Sequence, residues 1–319
     1  MKWFTLALLL ACIQPRLMQG QSPSSEVKGH NDLIHSVAVS SNGKLIATAG
    51  FDKVIKIWEI TPAGMKEVKT LTGHTEPVYC VAFNPEVTFL ASSSLDKTIR
   101  IWNLSDGKSV HELKGHTDIV DTISYSGDGK LLASGSSNAD KSVRLWNPKE
   151  GKEIKNLGTH AGTVYSVAFS PDGSQLASSG ADNLIKIWDL KTMKELKQLK
   201  GHQLGVTGVA FAGDNDRLIS ISQDRTIRTW SIKEAKEVKK SDLTPDDLYG
   251  LAWSMPTKTA VTAGYSGNLS VWDLNNTQPK STRKLRLLAY CVAVSPDGLW
   301  AYTGHLNGFL FRTSLAPAK

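Results

Sequence analysis

The chain has 319 residues, 21% of them charged and 40% apolar, an ordinary globular balance. Its net charge of +7 comes from Lys spread along the chain with no polybasic block, which argues against nucleic-acid binding. The cysteines Cys12, Cys80 and Cys291 indicate no disulfide framework, and a chain this long can be stabilised by its core.

Lys2 precedes an apolar run, Trp3–Ile13, broken only by Thr5, and Gln14-Pro15-Arg16 follows. That is the shape of a secretory signal peptide over residues 1–20, and the run is too short to span a bilayer. Leu9-Leu10-Ala11-Cys12 gives an alternative, a bacterial lipoprotein cleavage box with Cys12 acylated. The expectation is a secreted or periplasmic protein, the alternative a membrane-tethered lipoprotein. No later apolar run is long enough to cross a membrane.

Residues 21–28 read as a linker entering a short strand. A unit then recurs. It runs from Gly29-His30 to Trp58-Glu59, from Gly73-His74 to Trp102-Asn103, and from Gly115-His116 to Trp146-Asn147. It continues from Thr159-His160 to Trp188-Asp189 and from Gly201-His202 to Trp230-Ser231. A sixth copy lacks the His but ends at Trp272-Asp273, and a seventh, about Leu288–Thr313, puts Arg312 where the Trp should be. The closing positions 58, 102, 146, 188, 230, 272 and 312 are 40 to 44 residues apart, a near-constant period. The fourth unit shows the content. Its β-type runs Val164–Phe169, Gln175–Ser179 and Leu184–Trp188 are separated by Ser-Pro-Asp-Gly and Gly-Ala-Asp-Asn, which are turn sequences. A lone three-stranded meander cannot bury its apolar faces, so the copies must pack on one another.

The Gly-His…Trp-Asp unit, with Asp six residues before the Trp, resembles the WD-repeat β-propellers over about residues 22–316. The resemblance implies an all-β chain, a single seven-bladed β-propeller of four-stranded antiparallel blades around a channel. Its units would be about 29–72, 73–114, 115–157, 158–200, 201–243, 244–285 and 286–316. Outer strands are expected near Glu67–Leu71, Ser109–Leu113, Glu153–Leu157, Glu195–Leu199, Glu237–Leu243 and Lys280–Leu285. The seventh outer strand must come from the N-terminal segment, about 22–28, which would close the ring and hide two sheet edges. Cys80 and Cys291 fall in the same register two blades apart and are expected to be free thiols.

Five units carry a Ser-His-Asp-like set: His30/Thr48/Asp52/Trp58, His74/Ser92/Asp96/Trp102, His116/Ser134/Asp140/Trp146, His160/Ser178/Asp182/Trp188 and His202/Ser220/Asp224/Trp230. A catalytic triad is needed once, so a set repeated in five blades reads as structural. No phosphate loop, zinc motif, nucleophile elbow or calcium loop is present, and no cofactor, metal or catalytic residue is assigned. In the sixth unit Ser266 takes the Asp position. In the seventh Leu306 takes it, with Arg312 at the Trp position. These two blades are expected to open first.

In the family, partner contacts come from positions three and five after the His and from the residue before the Asp. Carried onto this chain, the partner-binding candidates are His35, Phe51, Tyr79, Leu95, Tyr165, Tyr249, Tyr265, Tyr290 and His305. Six of the 21 such positions are aromatic, against 8% of the chain, and five of the six fall in blades 6, 7, 1 and 2. Exposed aromatics anchor partners, which points to a non-enzymatic, monomeric scaffold for a protein or peptide. The alternatives are a channel-site enzyme or small-ligand propeller using Asp121, Asp247 and two His, or a lipid-tethered envelope organiser. The leader together with Ser-Pro-Asp-Gly turns suggests a bacterial source.

Overall fold

The computed structural model describes residues 25–316; the expected leader, residues 1–20, and with it Cys12, lies outside them. The described residues form strands and turns and no helix, and the strands gather into seven four-stranded antiparallel sheets. Six blades are consecutive meanders. The first is Ile34–Val39, Leu45–Gly50, Ile55–Thr61 and Gly64–Leu71. The inner strands of the other six are Val78–Phe83, Val120–Tyr125, Val164–Phe169, Val206–Phe211, Leu248–Ser254 and Ala289–Val294. Outer strands follow at Ser109–Leu113, Lys152–Thr159, Lys194–Leu199, Lys236–Lys240 and Ser281–Lys284. The seventh blade takes its outer strand, Ser25–Lys28, from the other end of the chain. There Ser25 pairs with Arg312 and Lys28 with Phe309.

Turn chemistry explains why the inner strand returns as the second. In blade 4, Ser170 Oγ bonds Asp172 at 2.8 Å and accepts the Gln175 N–H, while Gly173 takes φ +71°. Gly43, Gly129 and Gly298 repeat this conformation in blades 1, 3 and 7. Blade 2 puts Val87 there, a β-branched residue at φ +57°.

The apolar core lies between blades rather than within them. One cluster joins Ala177, Ile185, Ile187 and Leu199 of blade 4 to Val206, Val209, Leu218 and Trp230 of blade 5. Another joins Ile34, Ile46 and Trp58 of blade 1 to Tyr302 and Leu310 of blade 7, so closing the ring buries apolar surface. Outside the core, cationic side chains of the outer strands reach carbonyls on the next blade. Lys69 Nζ bonds the oxygens of Leu104 and Ser105, Lys197 those of Ile232 and Lys233, and Lys239 that of Asn275. His111 takes this place in blade 2 and bonds Lys149 O at 3.0 Å.

Cys80 and Cys291 are free. Both sit on inner strands where neighbouring blades crowd: Cys80 Sγ lies 3.7 Å from Ile123 O, and Cys291 Sγ 3.8 Å from Ile34 O. Burial pushes the Cys291 thiol up to about 12 and raises that of Cys80, so both stay protonated at neutral pH.

Strand register corrects the alignment of blade 7. In blade 1, Thr48 pairs with Val37 and Trp58 with Ile46. The equivalent pairs in blade 7 are Thr303 with Val292 and Thr313 with Ala301. The Trp position is therefore Thr313 rather than Arg312, and the Asp position is Asn307 rather than Leu306. The backbone agrees. The residue after the Asp has positive φ at Lys53, Lys97, Lys141, Asn183 and Arg225, and the equivalents are Gly267 and Gly308.

Candidate functional site

The five repeated sets form one hydrogen-bonded chain each. In blade 1, His30 Nδ1 lies 2.8 Å from Asp52 and His30 Nε2 2.7 Å from Thr48 Oγ1, which accepts the Trp58 indole N–H at 2.9 Å. The next four blades repeat the chain with a serine in place of the threonine. His74, His116, His160 and His202 set Nδ1 2.7–3.0 Å from Asp96, Asp140, Asp182 and Asp224. Their Nε2 atoms lie 2.7–2.8 Å from the hydroxyls of Ser92, Ser134, Ser178 and Ser220. Those hydroxyls accept the indole N–H of Trp102, Trp146, Trp188 and Trp230, each at 2.8 Å.

One neutral imidazole tautomer satisfies every atom: Nδ1–H donates to the carboxylate and Nε2 accepts the hydroxyl proton. The carboxylate also caps the turn, as Asp52 does by accepting the Asn31 N–H. Burial is the largest single influence on the Asp96, Asp140 and Asp224 pKa values and pushes them up, but the bonds from His74, His116 and His202 together with those from Thr98, Ser142, Thr226 and the backbone outweigh it, and each ends well below the ordinary range. Thr48, Ser92, Ser134, Ser178 and Ser220 are all at 0% exposure, on second strands flanked on both sides. Each therefore spends its hydroxyl on the frame, and no solvent reaches it.

The two remaining blades hold substitutes. In blade 6, Thr262 still accepts the Trp272 indole N–H at 2.9 Å, and Asp246 takes the Ser266 N–H at 2.6 Å. In blade 7, Thr303 Oγ1 meets His305 Nε2 at 2.9 Å, and His305 Nδ1 donates to Leu288 O at 2.6 Å. His305 is thus placed away from the rim. It is fully buried, at 0% exposure, against Phe311. It occupies the register of Gly50, and the residue that projects in its stead is Leu306, 53% exposed. Sequence spacing misses Leu306 by one residue; the Gly at 308 is the signal that could have placed it.

The other rim candidates gather into two groups. His35, Phe51 and Tyr79 pack at 4.7–5.4 Å between ring centroids, with His35 and Phe51 stacked. His35 Nδ1 donates to Tyr79 O at 2.8 Å, and burial lowers the His35 pKa, so the ring is neutral. Tyr249, Tyr265 and Tyr290 form the second group, with centroids 6.2–6.4 Å apart. Tyr265 is 52% exposed, while Tyr249 and Tyr290 are half-buried. Leu95 is half-buried in blade 2, the blade that carries Tyr79. Tyr165 stands apart in blade 4, against Gly205 of the next blade.

Asp121 belongs to the rim positions of blade 3. Burial raises its pKa to about 7, with Asp118 adding to the effect, although the Ser137 hydroxyl donates to it at 2.5 Å. Its charge in turn raises the Tyr79 and Tyr165 hydroxyls, whose main cause is burial. Among the described residues no group of three His, Cys, Asp or Glu could hold a metal ion, and no helix is long and apolar enough to cross a membrane. A cavity of about 780 Å³ opens on the opposite face between blades 2 and 3, walled by Phe89, Ile101, Val110, Tyr125 and Pro148.

Comparison with known proteins matches the WD40 family, described as WD domain, G-beta repeat, over residues 21–59, 65–103, 107–147, 151–189 and 193–231. The matches end where the His and Asp positions are lost. A shorter stretch of 48 residues is 42% identical to THO complex subunit 3 of Arabidopsis thaliana, covering 15% of each chain. The family matches span more than half of the chain, and with seven four-stranded blades built on the His-Ser/Thr-Asp-Trp network, this chain belongs to the WD40-repeat family.

Proposed function

We propose that this propeller is a non-enzymatic scaffold that holds a protein or peptide partner on the aromatic arc of its rim. One observation carries the reading. Tyr249, Tyr265, Tyr290, Leu306, Phe51 and Tyr79 lie along consecutive blades 6, 7, 1 and 2 and are left partly exposed, while the core buries five Trp completely. Large apolar side chains at a concave rim supply contact area at low entropy cost. WD40 propellers mediate protein–protein interaction, and the relative from Arabidopsis thaliana is named as a subunit of a complex. The repeated His-Ser-Asp sets have no hydroxyl free to attack a substrate, because Ser92, Ser134, Ser178 and Ser220 are each buried under a Trp.

We further propose, from the sequence pattern of Lys2 followed by the apolar run Trp3–Ile13, that residues 1–20 are a leader and that the protein acts outside the cytoplasm. Mass analysis of the mature N-terminus tests this: loss of about the first 20 residues fits secretion, an acylated Cys12 fits a lipid tether, and an intact Met1 contradicts both. The rim reading is tested by affinity capture with the wild type and with the Tyr79→Ala/Tyr249→Ala/Tyr290→Ala variant. The variant should lose the partner and keep its fold; equal recovery of the same partner would overturn the reading.

A further inference from the structure

Blade 6 supplies all three of its rim positions to one spot: Asp247, Tyr249 and Tyr265, joined by Tyr290 of blade 7. The three tyrosine rings form a triangle with sides of 6.2, 6.2 and 6.4 Å and interplanar angles of 53°, 44° and 81°. No two rings are stacked in parallel: Tyr249 is tilted to both others, and Tyr265 and Tyr290 meet in an edge arrangement, so no ring is covered face to face. A group held over the middle of such a triangle lies within cation–π range of every ring, about 6 Å or less. The first aromatic group differs: His35 and Phe51 stack at 11° and cover each other's faces.

The charge beside the triangle is negative and uncommitted. Asp247 lies two residues before Tyr249, and its carbonyl accepts the Tyr265 N–H at 3.1 Å. Asp247 as a residue is half-buried, and its carboxylate accepts no hydrogen bond and no ion pair from any described residue. Its neighbours are engaged: Asp246 takes the Ser266 N–H, and Asp242 takes the Gln278 amide. Residues 241–250 hold three Asp and no Lys or Arg. Two cations of blades 6 and 7 are also engaged. Lys284 bonds Ser266 O, and Arg286 pairs with Glu26 and lies over the Phe309 and Phe311 rings. Burial, with Asp247 adding to it, raises the Tyr249 hydroxyl, and burial likewise raises that of Tyr290. Electron-rich neutral faces beside a lone carboxylate, on a chain whose net charge is +7, are a local arrangement for a cation.

We propose that Tyr249, Tyr265, Tyr290 and Asp247 seat one alkylammonium group, a lysine side chain of the partner, with or without N-methylation. This rests on the rim reading above and names the chemistry the rim selects. The ammonium group takes the Asp247 carboxylate as counter-ion, and its methylene or methyl groups lie on the three rings.

The test titrates the protein, with its Tyr rings labelled, with N-acetyl-trimethyllysine amide and with the neutral analogue in which carbon replaces the charged nitrogen. The Tyr249, Tyr265 and Tyr290 ring signals should shift and saturate with the cation, which should bind at least about fivefold tighter than the neutral analogue. Asp247→Asn and Tyr265→Leu should each weaken the cation by a similar factor without affecting the neutral analogue as much. An arm with unmodified N-acetyl-lysine amide separates the two sources: equal binding names any lysine, weaker binding a methylated one. Equal affinity for cation and neutral analogue, or full affinity in Asp247→Asn, would overturn the proposal. If the probes fail while the rim variant still loses its partner, the rim reading stands and this inference falls. If the probes bind and the rim variant keeps its partner, the rim reading falls instead.

Discussion

His305 Nε2 lies 2.9 Å from Thr303 Oγ1, so blade 7 makes the buried His–hydroxyl bond that His30 makes to Thr48, using a His from its own second strand. The imidazole reaches the same hydroxyl from the opposite direction along the chain. Its Nδ1 proton goes to Leu288 O instead of an Asp carboxylate. With no carboxylate to favour the cation, burial holds the His305 pKa at about 4, Arg286 acting in the same direction and the Leu288 bond against it.

That low value makes blade 7 acid-sensitive. The unfolded chain takes up this proton near pH 6.5 and the folded chain only near 4, so His305 contributes full stability above about pH 6.5 and loses it progressively down to about pH 4. The total is on the order of 3 kcal/mol. In urea unfolding, His305→Gln should lose less stability between pH 7 and pH 5 than the wild type does, by about 2 kcal/mol. The His202 pKa is lowered as well, mainly by burial, and its loss is common to both proteins. Parallel losses in the two proteins would show that His305 is not the group that titrates.

The hydroxyl of each set holds two partners at once. Ser134→Ala leaves the Trp146 indole N–H and His116 Nε2 unpaired in the interior of blade 3. We expect a loss of about 2–4 kcal/mol in chemical denaturation, since each orphaned buried group costs roughly 1–3 kcal/mol. Ser92→Ala, Ser178→Ala and Ser220→Ala break the same pair of bonds in blades 2, 4 and 5 and should cost similar amounts. Partner affinity should not change. Variants of wild-type stability would mean that water or a shifted side chain takes over the bond.

Val87 carries backbone strain that glycine removes. It occupies the place of Gly173 and Gly298, with φ +57°, and its N–H bonds Asn84 O as theirs bond Ser170 and Ser295. A β-branched residue there costs roughly 1–2 kcal/mol, part of which glycine returns through its freer unfolded state. Val87→Gly should raise the stability by about 0.5–1 kcal/mol, read from the denaturation midpoint. A lower midpoint would show that the Val87 side-chain contacts outweigh the strain.

Blades 6 and 7 should open before blade 3. Neither has the His–Asp–Trp chain, and blade 7 is completed by a four-residue strand from the other end of the protein. Hydrogen exchange of Leu269–Val271 and Leu310–Arg312 should run ahead of Ser134–Ser136. Equal protection in the three blades would show that the Asp246 and His305 bonds are full replacements.

The repeat makes the blade architecture and the closing strand legible, because a 40–44-residue period with turn residues at fixed offsets leaves few ways to pack the strands. It also marks the buried network, since a set present five times points to the frame. It fails where the repeat decays. With no Asp and no Trp to fix the count, spacing alone puts blade 7 one residue out of register from Leu306 onward, and it places His305 on a rim that Leu306 occupies. The lateral bonds from Lys69, Lys197 and Lys239 leave no mark either: a Lys on an outer strand looks the same whether it meets solvent or a neighbouring carbonyl. Asp247 is visible as a rim carboxylate, but that it is unpaired beside three rings emerges only from the folded arrangement.

The central claim is that the network is frame and the aromatic arc is the binding surface. The most direct measurement is the affinity of the purified captured partner for the wild type, for Tyr79→Ala/Tyr249→Ala/Tyr290→Ala, and for Ser134→Ala, each with its melting curve. The account predicts that the rim variant loses affinity at least about 100-fold, as removal of interface anchors does, with a melting temperature within about 4 °C of wild type. It predicts the reverse for Ser134→Ala, which melts lower and binds normally. A rim variant that binds with wild-type affinity would contradict it.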